Sequence, residues 1–420
     1  MSEWKRYKLG ELLRVKHGWA FKGEFFSDTG VQSILTPGNF YESGGFKANP
    51  SKDRFYSGDY PKEYLCSKGD LVVAMTEQAA GLLGSTAIVP EDNRYLHNQR
   101  IGLISCNESL NKDFAYYLFM TQSVRQQISR SASGTKVKHT SPEKIYDVQV
   151  DIPKIQTQKN IAIFLSILDK KIQINNQINQ ELEDMAKTLY DYWFVQFDFP
   201  DQNGKPYKSS GGKIVYNPEL KREIPEGWGV EKLGELAQFK NGINYEKTSS
   251  GSEKVKIINV RNISSSTIFI NQTDLDEIFL ENDKSTNFIV NEGMILITRS
   301  GIPGATRLVS ELEAKTVYSG FIIASEVNDL INKNLIFYYL KNVEEVLKNQ
   351  SAGTIMKNIS QSVLTDMTVS LPPQNVLLKF NSIIDNLLEQ MKNVQRQNQE
   401  LTQLRDWLLP MLMNGQVKVE

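Results

Sequence analysis

Cysteine is nearly absent. Cys66 and Cys106 are the only two in 420 residues, too few for a disulfide framework or a four-ligand zinc site, so a reducing compartment is expected. Histidine is as scarce: His17, His97 and His139 stand far apart, and no HExxH pairing occurs. Redox and metal chemistry are therefore not expected. Long apolar runs are missing too. The longest, Phe114 to Met120, spans seven residues, against roughly 18 for a membrane span. The opening MSEWKRYKLGELL puts charges where a signal peptide needs an apolar stretch, which predicts a cytoplasmic protein. Charge of either sign is not in excess: 48 Lys and Arg against 49 Asp and Glu leave a formal net charge of −1. That balance argues against a non-specific polyanion binder working by bulk attraction. It does not exclude one that gathers basic residues on one face.

What is present is ordinary globular material, 40% hydrophobic and 23% charged, with 27 Gly and 14 Pro. The length calls for two or three modules, and the chain is in fact written twice. Trp4, KLGEL at 8–12, Lys16 and Gly18 recur as Trp228, KLGEL at 232–236, Lys240 and Gly242, displaced by 224. KGDLVVAMT at 68–76 returns as EGMILITRS at 292–300. NKDFAYYL at 111–118 resembles NKNLIFYYL at 332–340, SGTKVK at 133–138 resembles AGTIMK at 352–357, and NQEL occurs at 179–182 and 398–401. A displacement that drifts so little over a whole copy marks duplicated modules.

Each copy changes character near its end. Residues 1–150 mix short apolar runs with Gly, Pro, Ser and Asn punctuation, which predicts strands and turns with a helix around 111–130, a mixed α/β or α+β domain. From Ile155 the apolar positions fall at helical spacing: Ile161, Leu165, Leu168 and Ile172, then Asn175, Asn179, Leu182, Ala186, Leu189 and Trp193. The second copy gives Phe380, Ile384, Leu387, Met391, Val394, Asn398, Leu401, Arg405, Leu408 and Leu412. Such a narrow stripe suits another helix, with Asn179 and Asn398 as polar register markers. Residues 155–195 would make one helix of roughly 60 Å. Between the copies, 198–228 is rich in Gly, Pro and Ser and reads as a connector, with Ile224 to Trp228 opening the second domain.

Catalytic motifs are missing. There is no GxxxxGK[ST] or GxGxxG loop. Leu371-Pro372-Pro373-Gln374 lacks the flanking residues with which an adenine methyltransferase holds its base and reads as a strand end before the second long helix. Pro200-Asp201 with Glu219-Leu220-Lys221 matches a loose nuclease pattern, but a metal site needs rigid strands and this match falls in the connector. Ser133 and Lys136 have a Ser-Lys spacing whose counterpart in the repeat is Ala352 and Ile355, so a duplicated nucleophile is not expected. The tyrosine-rich runs 115–120 and 335–340 read as helical core.

Binding chemistry remains. Arg125, Arg130, Lys136, Lys138 and Lys144, with His139, face a single acidic residue, Glu143, a local excess that suits phosphate or a merely solvated helix end. Asn98-Gln99-Arg100 groups side chains that pair with guanine and adenine edges. Its counterpart around Tyr318-Ser319-Gly320 is unlike it, so two domains of one design would read unlike sequences.

The W…KLGEL opening, GTKVKHTSP, the helix I..FL..LD..I..N..IN..LE.MA, WFVQFDF, the IPEGW linker and the second such unit together resemble the specificity subunit of type I restriction–modification systems, over essentially the whole chain. The resemblance implies two target recognition domains, residues 1–152 and 228–371. It also implies two long helices, 153–197 and 372–414, paired as an antiparallel coiled coil with a pseudo-twofold repeat, and a linker at 198–227. It further implies a chain without catalysis of its own. That chain would read a bipartite duplex target, one half-site per domain, and dock two methyltransferase subunits that hold S-adenosylmethionine and restriction subunits that use ATP and Mg. Four residues inserted near Asn175 should then lengthen the unspecified spacer and leave the half-sites unchanged. The candidate DNA contacts are Lys16, His17, Lys22, Gln99, Arg100, Lys136, Lys138 and His139 in the first domain, and Lys240, Asn241, Arg261, Arg299, Lys357 and Asn358 in the second. The alternative is a non-DNA scaffold of two ligand-binding domains on a coiled coil.

Overall fold

The computed structural model describes residues 4–48, 53–134, 137–245, 251–352 and 358–419. The chain divides into two compact units, residues 1–174 with 398–420, and 175–397. This division does not follow the expected borders. Each unit takes one globular module, half of the first long helix and the opposite half of the second.

In the first unit the elements in chain order are β1 (Lys5–Lys8), α1 (Leu9–Leu12), β2 (Leu13–His17), β3 (Phe26–Ser27), β4 (Ser33–Leu35), β5 (Phe55–Tyr56), β6 (Leu71–Ala74), β7 (Thr86–Ile88), β8 (Tyr95–His97) and β9 (Ile101–Cys106). There follow α2 (Lys112–Met120), α3 (Gln122–Ser131), α4 (Pro142–Tyr146), β10 (Gln149–Ile152) and the start of α5 (Ile155–Tyr190). Two four-stranded sheets have the orders β2-β9-β6-β7 and β3-β5-β4-β8, and β1 pairs antiparallel with β10. The helix expected at 111–130 is two helices. Thr121 leaves helical geometry, accepts the Val124 N–H and donates its hydroxyl to the Leu118 carbonyl at 2.7 Å, capping the second helix as it ends the first,.

The second unit repeats the plan. After a hairpin of β11 (Ile214–Asn217) and β12 (Arg222–Pro225) come β13 (Gly229–Lys232), α6 (Leu233–Leu236), β14 (Ala237–Asn241), β15 (Glu253–Ile258), α7 (Val260–Ser264), β16 (Asp276–Leu280), α8 (Asn282–Ser285), β17 (Ile295–Thr298), β18 (Thr306–Leu308), β19 (Thr316–Tyr318) and β20 (Ile322–Val327). Then follow α9 (Lys333–Ala352), α10 (Gln361–Thr365), β21 (Thr368–Leu371) and α11 (Gln374–Met413). The sheet β14-β20-β17-β18 matches β2-β9-β6-β7 strand for strand. In both modules a parallel pair, β4 with β8 and β15 with β19, builds the other sheet. KLGEL recurs because the same short helix buries its leucines in each copy, Leu9 and Leu12 or Leu233 and Leu236. The tyrosine-rich runs are core: Tyr117, Phe119, Phe337 and Tyr338 are all buried.

The stretch expected as a connector is folded. Phe197, Phe199, Ile224 and Trp228 enter the core of the second unit, and the Asp198 carboxylate accepts from both the Ser209 N–H and hydroxyl. The first long α-helix stops at Tyr190 rather than near 195, and Asp191–Val195 continues as a π-helical turn that buries Trp193 and Phe194.

Within each unit the two helix segments run antiparallel. In the first, Ile161 and Leu165 share a core with Leu409 and Leu412, and Leu408 packs against it. There Arg405 pairs with Asp169 at 3.0 Å, and Asp169 also accepts the Tyr117 hydroxyl at 2.6 Å. Leu168 is buried, Ile172 and Leu401 half-buried. In the second unit Leu182, Ala186 and Tyr190 pack with Phe380, Ile384, Leu387 and Met391, with Leu189 alongside. Asn175 is buried and donates to Gln397 at 3.4 Å. Asn179 and Asn398 are half-buried, each with its side-chain oxygen shielded from solvent. No helix among the described residues is long and apolar enough to cross a membrane.

Candidate nucleic-acid interface

The candidate residues of the first unit gather where three strands of one sheet end. His17, at the end of β2, lies opposite Gly102 on β9, and Ala74, at the end of β6, lies opposite Ile101. The chain then continues into a rim of loops. Met75 N–H donates to the Arg100 carbonyl at 2.8 Å, Thr140 N–H to the Met75 carbonyl at 3.0 Å, and Glu77 N–H to the Lys138 carbonyl at 2.9 Å. Lys16, His17, Gln99, Arg100, Lys138 and His139, scattered over 120 positions of sequence, therefore share one edge.

The second unit builds the same rim with the same hydrogen bonds. Gly18 N–H to Ile101, Trp19 to His97, Gln99 to Trp19, Met75 to Arg100 and Thr140 to Met75 are matched by Gly242 to Ile322, Ile243 to Tyr318, Gly320 to Ile243, Arg299 to Phe321 and Ile359 to Arg299. The recurring glycine is dictated by close approach. A Cβ on Gly18 would lie 1.9 Å from the Asn98 carbonyl oxygen, and one on Gly242 would lie 2.3 Å from that of Ser319. The matched bonds correct the sequence alignment by one residue: the counterparts of Asn98, Gln99 and Arg100 are Ser319, Gly320 and Phe321.

Side-chain surroundings separate the candidates. Gln99 and Arg100 are exposed, and the Asn98 carboxamide holds the Arg100 N–H at 2.8 Å. His139 is exposed, its Nδ1 3.1 Å from the Thr76 hydroxyl, and Lys138 reaches Ser129 at 3.2 Å. The exposed His17 has its Nδ1 3.3 Å from the Gly18 carbonyl. Lys22 is exposed in the segment between β2 and β3. Lys16 pairs with Glu63 at 3.3 Å and lies 4.4 Å above the Tyr64 ring. Lys240 pairs with Glu326 at 2.8 Å. Pairs this exposed are worth about 1 kcal/mol or less, so a phosphate could take over either lysine cheaply. Arg261 is held more firmly, by Asp274 at 3.2 Å and Asp276 at 2.7 Å and by the Asp274 carbonyl. Arg299 is half-buried and donates to the Gly320 carbonyl at 3.2 Å. Asn241 and Asn358 are exposed. Lys136 and Lys357 lie outside the described residues.

The basic stretch at 125–144 does not act as one surface. Arg125 is turned inward to the carbonyls of Glu42 and Gly81, and burial pulls its guanidinium down to about 10. The nuclease-like match dissolves as well, because the Asp201 carboxylate caps the N–H groups of Asn203 and Lys205. No cluster of three metal-ligating side chains occurs among the described residues. Burial raises the Cys66 thiol to about 12 and the Cys106 thiol to about 11, which keeps both unreactive.

Sequence reasoning missed the aromatic wall behind the first rim. Trp19 stacks on Tyr64 with centroids 5.8 Å apart, and Phe21 meets Tyr56 edge-on at 4.8 Å. Behind them His97 is fully buried, and desolvation lowers its pKa to about 4. The only sequence signal was that Trp19 follows the repeated Gly18, and Ile243 follows Gly242.

Residues 1–184 and 225–403 match the family model of the type I restriction modification DNA specificity domain. The chain is 27% identical over 327 residues to the type I restriction enzyme MjaIX specificity subunit of Methanocaldococcus jannaschii, covering 77% of this chain and 73% of that one. It is 23% identical over 491 aligned positions to the HindI specificity subunit of Haemophilus influenzae, covering 99% and 100%. The fold is similar to a crystal structure of a type I restriction–modification S subunit from M. genitalium, with TM-score 0.54, 16% identity and 98% and 96% coverage. These matches give no support to the non-DNA scaffold of two ligand-binding domains on a coiled coil. With both copies of the repeat matched, the chain belongs to the type I restriction–modification DNA specificity family and serves DNA sequence recognition.

Proposed function

We propose that each rim reads one half of a bipartite duplex target and that the paired helices, α5 with α11, set the unspecified spacer between the halves. The observation that carries this reading is the matched set of five rim hydrogen bonds with unlike side chains mounted on them. One scaffold presenting Gln99 and Arg100 in the first copy and Gly320 and Phe321 in the second is what two readers of different sequence require. The candidate contacts named for each copy, with Lys136 and Lys357 among them, belong to this reading.

The catalytic activities belong to partner subunits. Adenine methylation inside a duplex requires base flipping into a pocket, so S-adenosylmethionine would sit on the modification partners, of which two are expected, one per half-site. ATP and Mg would serve restriction subunits. Exposed apolar side chains on the long helices, Ile163 and Ile167 on α5 and Leu404 and Trp407 on α11, are suited to docking such partners. Function in the cytoplasm, where the genome lies, completes the proposal.

The test is methylation of a randomised duplex library by the full chain co-expressed with its modification subunits. A split motif with a fixed spacer is expected. Four residues inserted after Asn175 and four after Gln397, which keep the antiparallel register, should lengthen that spacer by one or two base pairs, from about 5.4 Å per helical turn. Altered half-site bases at an unchanged spacer would refute the ruler.

A further inference from the structure

We infer that Phe321 is the position from which the second module reads a thymine, through the base's 5-methyl group in the major groove; this rests on the recognition reading above. The backbone of Phe321 is fixed as that of Arg100 is, its carbonyl accepting from Arg299 at 2.8 Å where Arg100 accepts from Met75 at 2.8 Å. Yet the ring is 63% exposed, while the next residues of β20, Ile322, Ile323 and Ala324, are at most 1% exposed. It therefore contributes little to the core. Polar groups able to hold DNA share its rim. Gly320, beside it, accepts the Arg299 guanidinium, and Asn241 and Asn358 are exposed on the same rim.

The chemistry narrows what such a ring can read. A phenyl group neither donates nor accepts hydrogen bonds, so it cannot distinguish the polar edges of guanine, cytosine or adenine. The one major-groove feature it favours is the thymine methyl, whereas the guanidinium at the equivalent place in the first module suits the two acceptors of guanine. The replacement of Arg100 by Phe321 on one scaffold is thus a change of preferred base at corresponding points of the two half-sites.

The experiment replaces each thymine of the mapped second half-site, one at a time, by deoxyuridine, which lacks only the methyl, and measures binding by the full chain with its modification subunits. One position should lose about fourfold in affinity, the value of one buried methyl-sized group. Phe321→Ala should abolish that discrimination and Phe321→Leu should retain it, while the same scan through the first half-site responds equally in all three proteins. No responsive position in the wild type would overturn the assignment, as would a response undiminished in Phe321→Ala. Uniform weakening of all sequences by Phe321→Ala, without loss of methyl discrimination, would likewise overturn it and make the ring a backbone contact. A wild-type complex that ignores sequence altogether would instead refute the recognition reading itself.

Discussion

Gly18→Ala is the most incisive perturbation of the rim. Its new Cβ would lie 1.9 Å from the Asn98 carbonyl oxygen and 2.7 Å from that of His97, where ordinary contact begins near 3.4 Å. The two segments must part by roughly 1.5 Å, which takes the bonds Gly18 to Ile101, Trp19 to His97 and Gln99 to Trp19, now 3.1–3.2 Å, beyond hydrogen-bonding range. Three bonds at about 1 kcal/mol each give a loss of about 3 kcal/mol, comparable to other overpacking penalties. In a unit of this size that lowers the melting temperature by about 6–12 °C. Gly23→Ala is the internal control, because its Cβ would meet nothing within 4 Å. Calorimetric melting of the two variants, followed by library methylation, reads both consequences. Gly18→Ala should relax the first half-site and spare the second, and Gly242→Ala should do the reverse. Melting of Gly18→Ala within 1 °C of Gly23→Ala would refute the close-approach argument.

Other substitutions test separate contacts. Arg100→Ala should relax one position of the first half-site by about 1–3 kcal/mol, whereas Lys138→Ala should weaken all sequences alike and reduce the salt slope by about 1; filter binding across salt and sequence distinguishes them. Arg405→Ala leaves Asp169 without its cation in a partly buried helix pair and should cost about 2 kcal/mol in urea titration; a loss below 0.5 kcal/mol would make the pair ornamental. His97 is neutral and buried in the fold, with a pKa lowered to about 4 by desolvation, so below its unfolded value of about 6.5 the unfolded state binds the extra proton. Stability from this group is complete above pH 6.5 and falls by about 3 kcal/mol as the pH drops toward 4. His97→Gln should flatten that slope, and an unchanged pH profile would remove His97 as its cause.

The duplication was legible because identical backbone demands select identical residues. KLGEL buries two leucines per copy, and the glycines at 18 and 242 answer the same crossing of chains. The helical seam was legible from its spacing, down to the buried leucines on both helices. Partnerships made across long stretches of sequence were not. Nothing near Lys16 in the chain announces Glu63, nothing near Arg261 announces the grip of Asp274 and Asp276, and Arg125 reads as a surface cation although its guanidinium serves two carbonyls. The segment 198–227 misled because its turn residues outnumber the few apolar side chains, Phe199 and Ile224, that with the flanking Phe197 and Trp228 anchor it in a core. The one-residue misalignment at Arg100 arose because loops of unequal length hide register, which only the strand pairing reveals.

The first unit closes its core with residues from the far end of the chain, Leu409, Leu412 and Met413 beside Ile161, Ala162 and Leu165. During synthesis, at about 5–20 residues per second, the module that leaves the ribosome first is the one that finishes last. For the time needed to make residues 175–397, the part of the apolar stripe at the start of α5 that Leu409, Leu412 and Met413 will cover stays bare. A nascent chain cut short by premature release would carry that stripe permanently, and chaperones and proteases would have a ready mark by which to tell unfinished copies from finished ones.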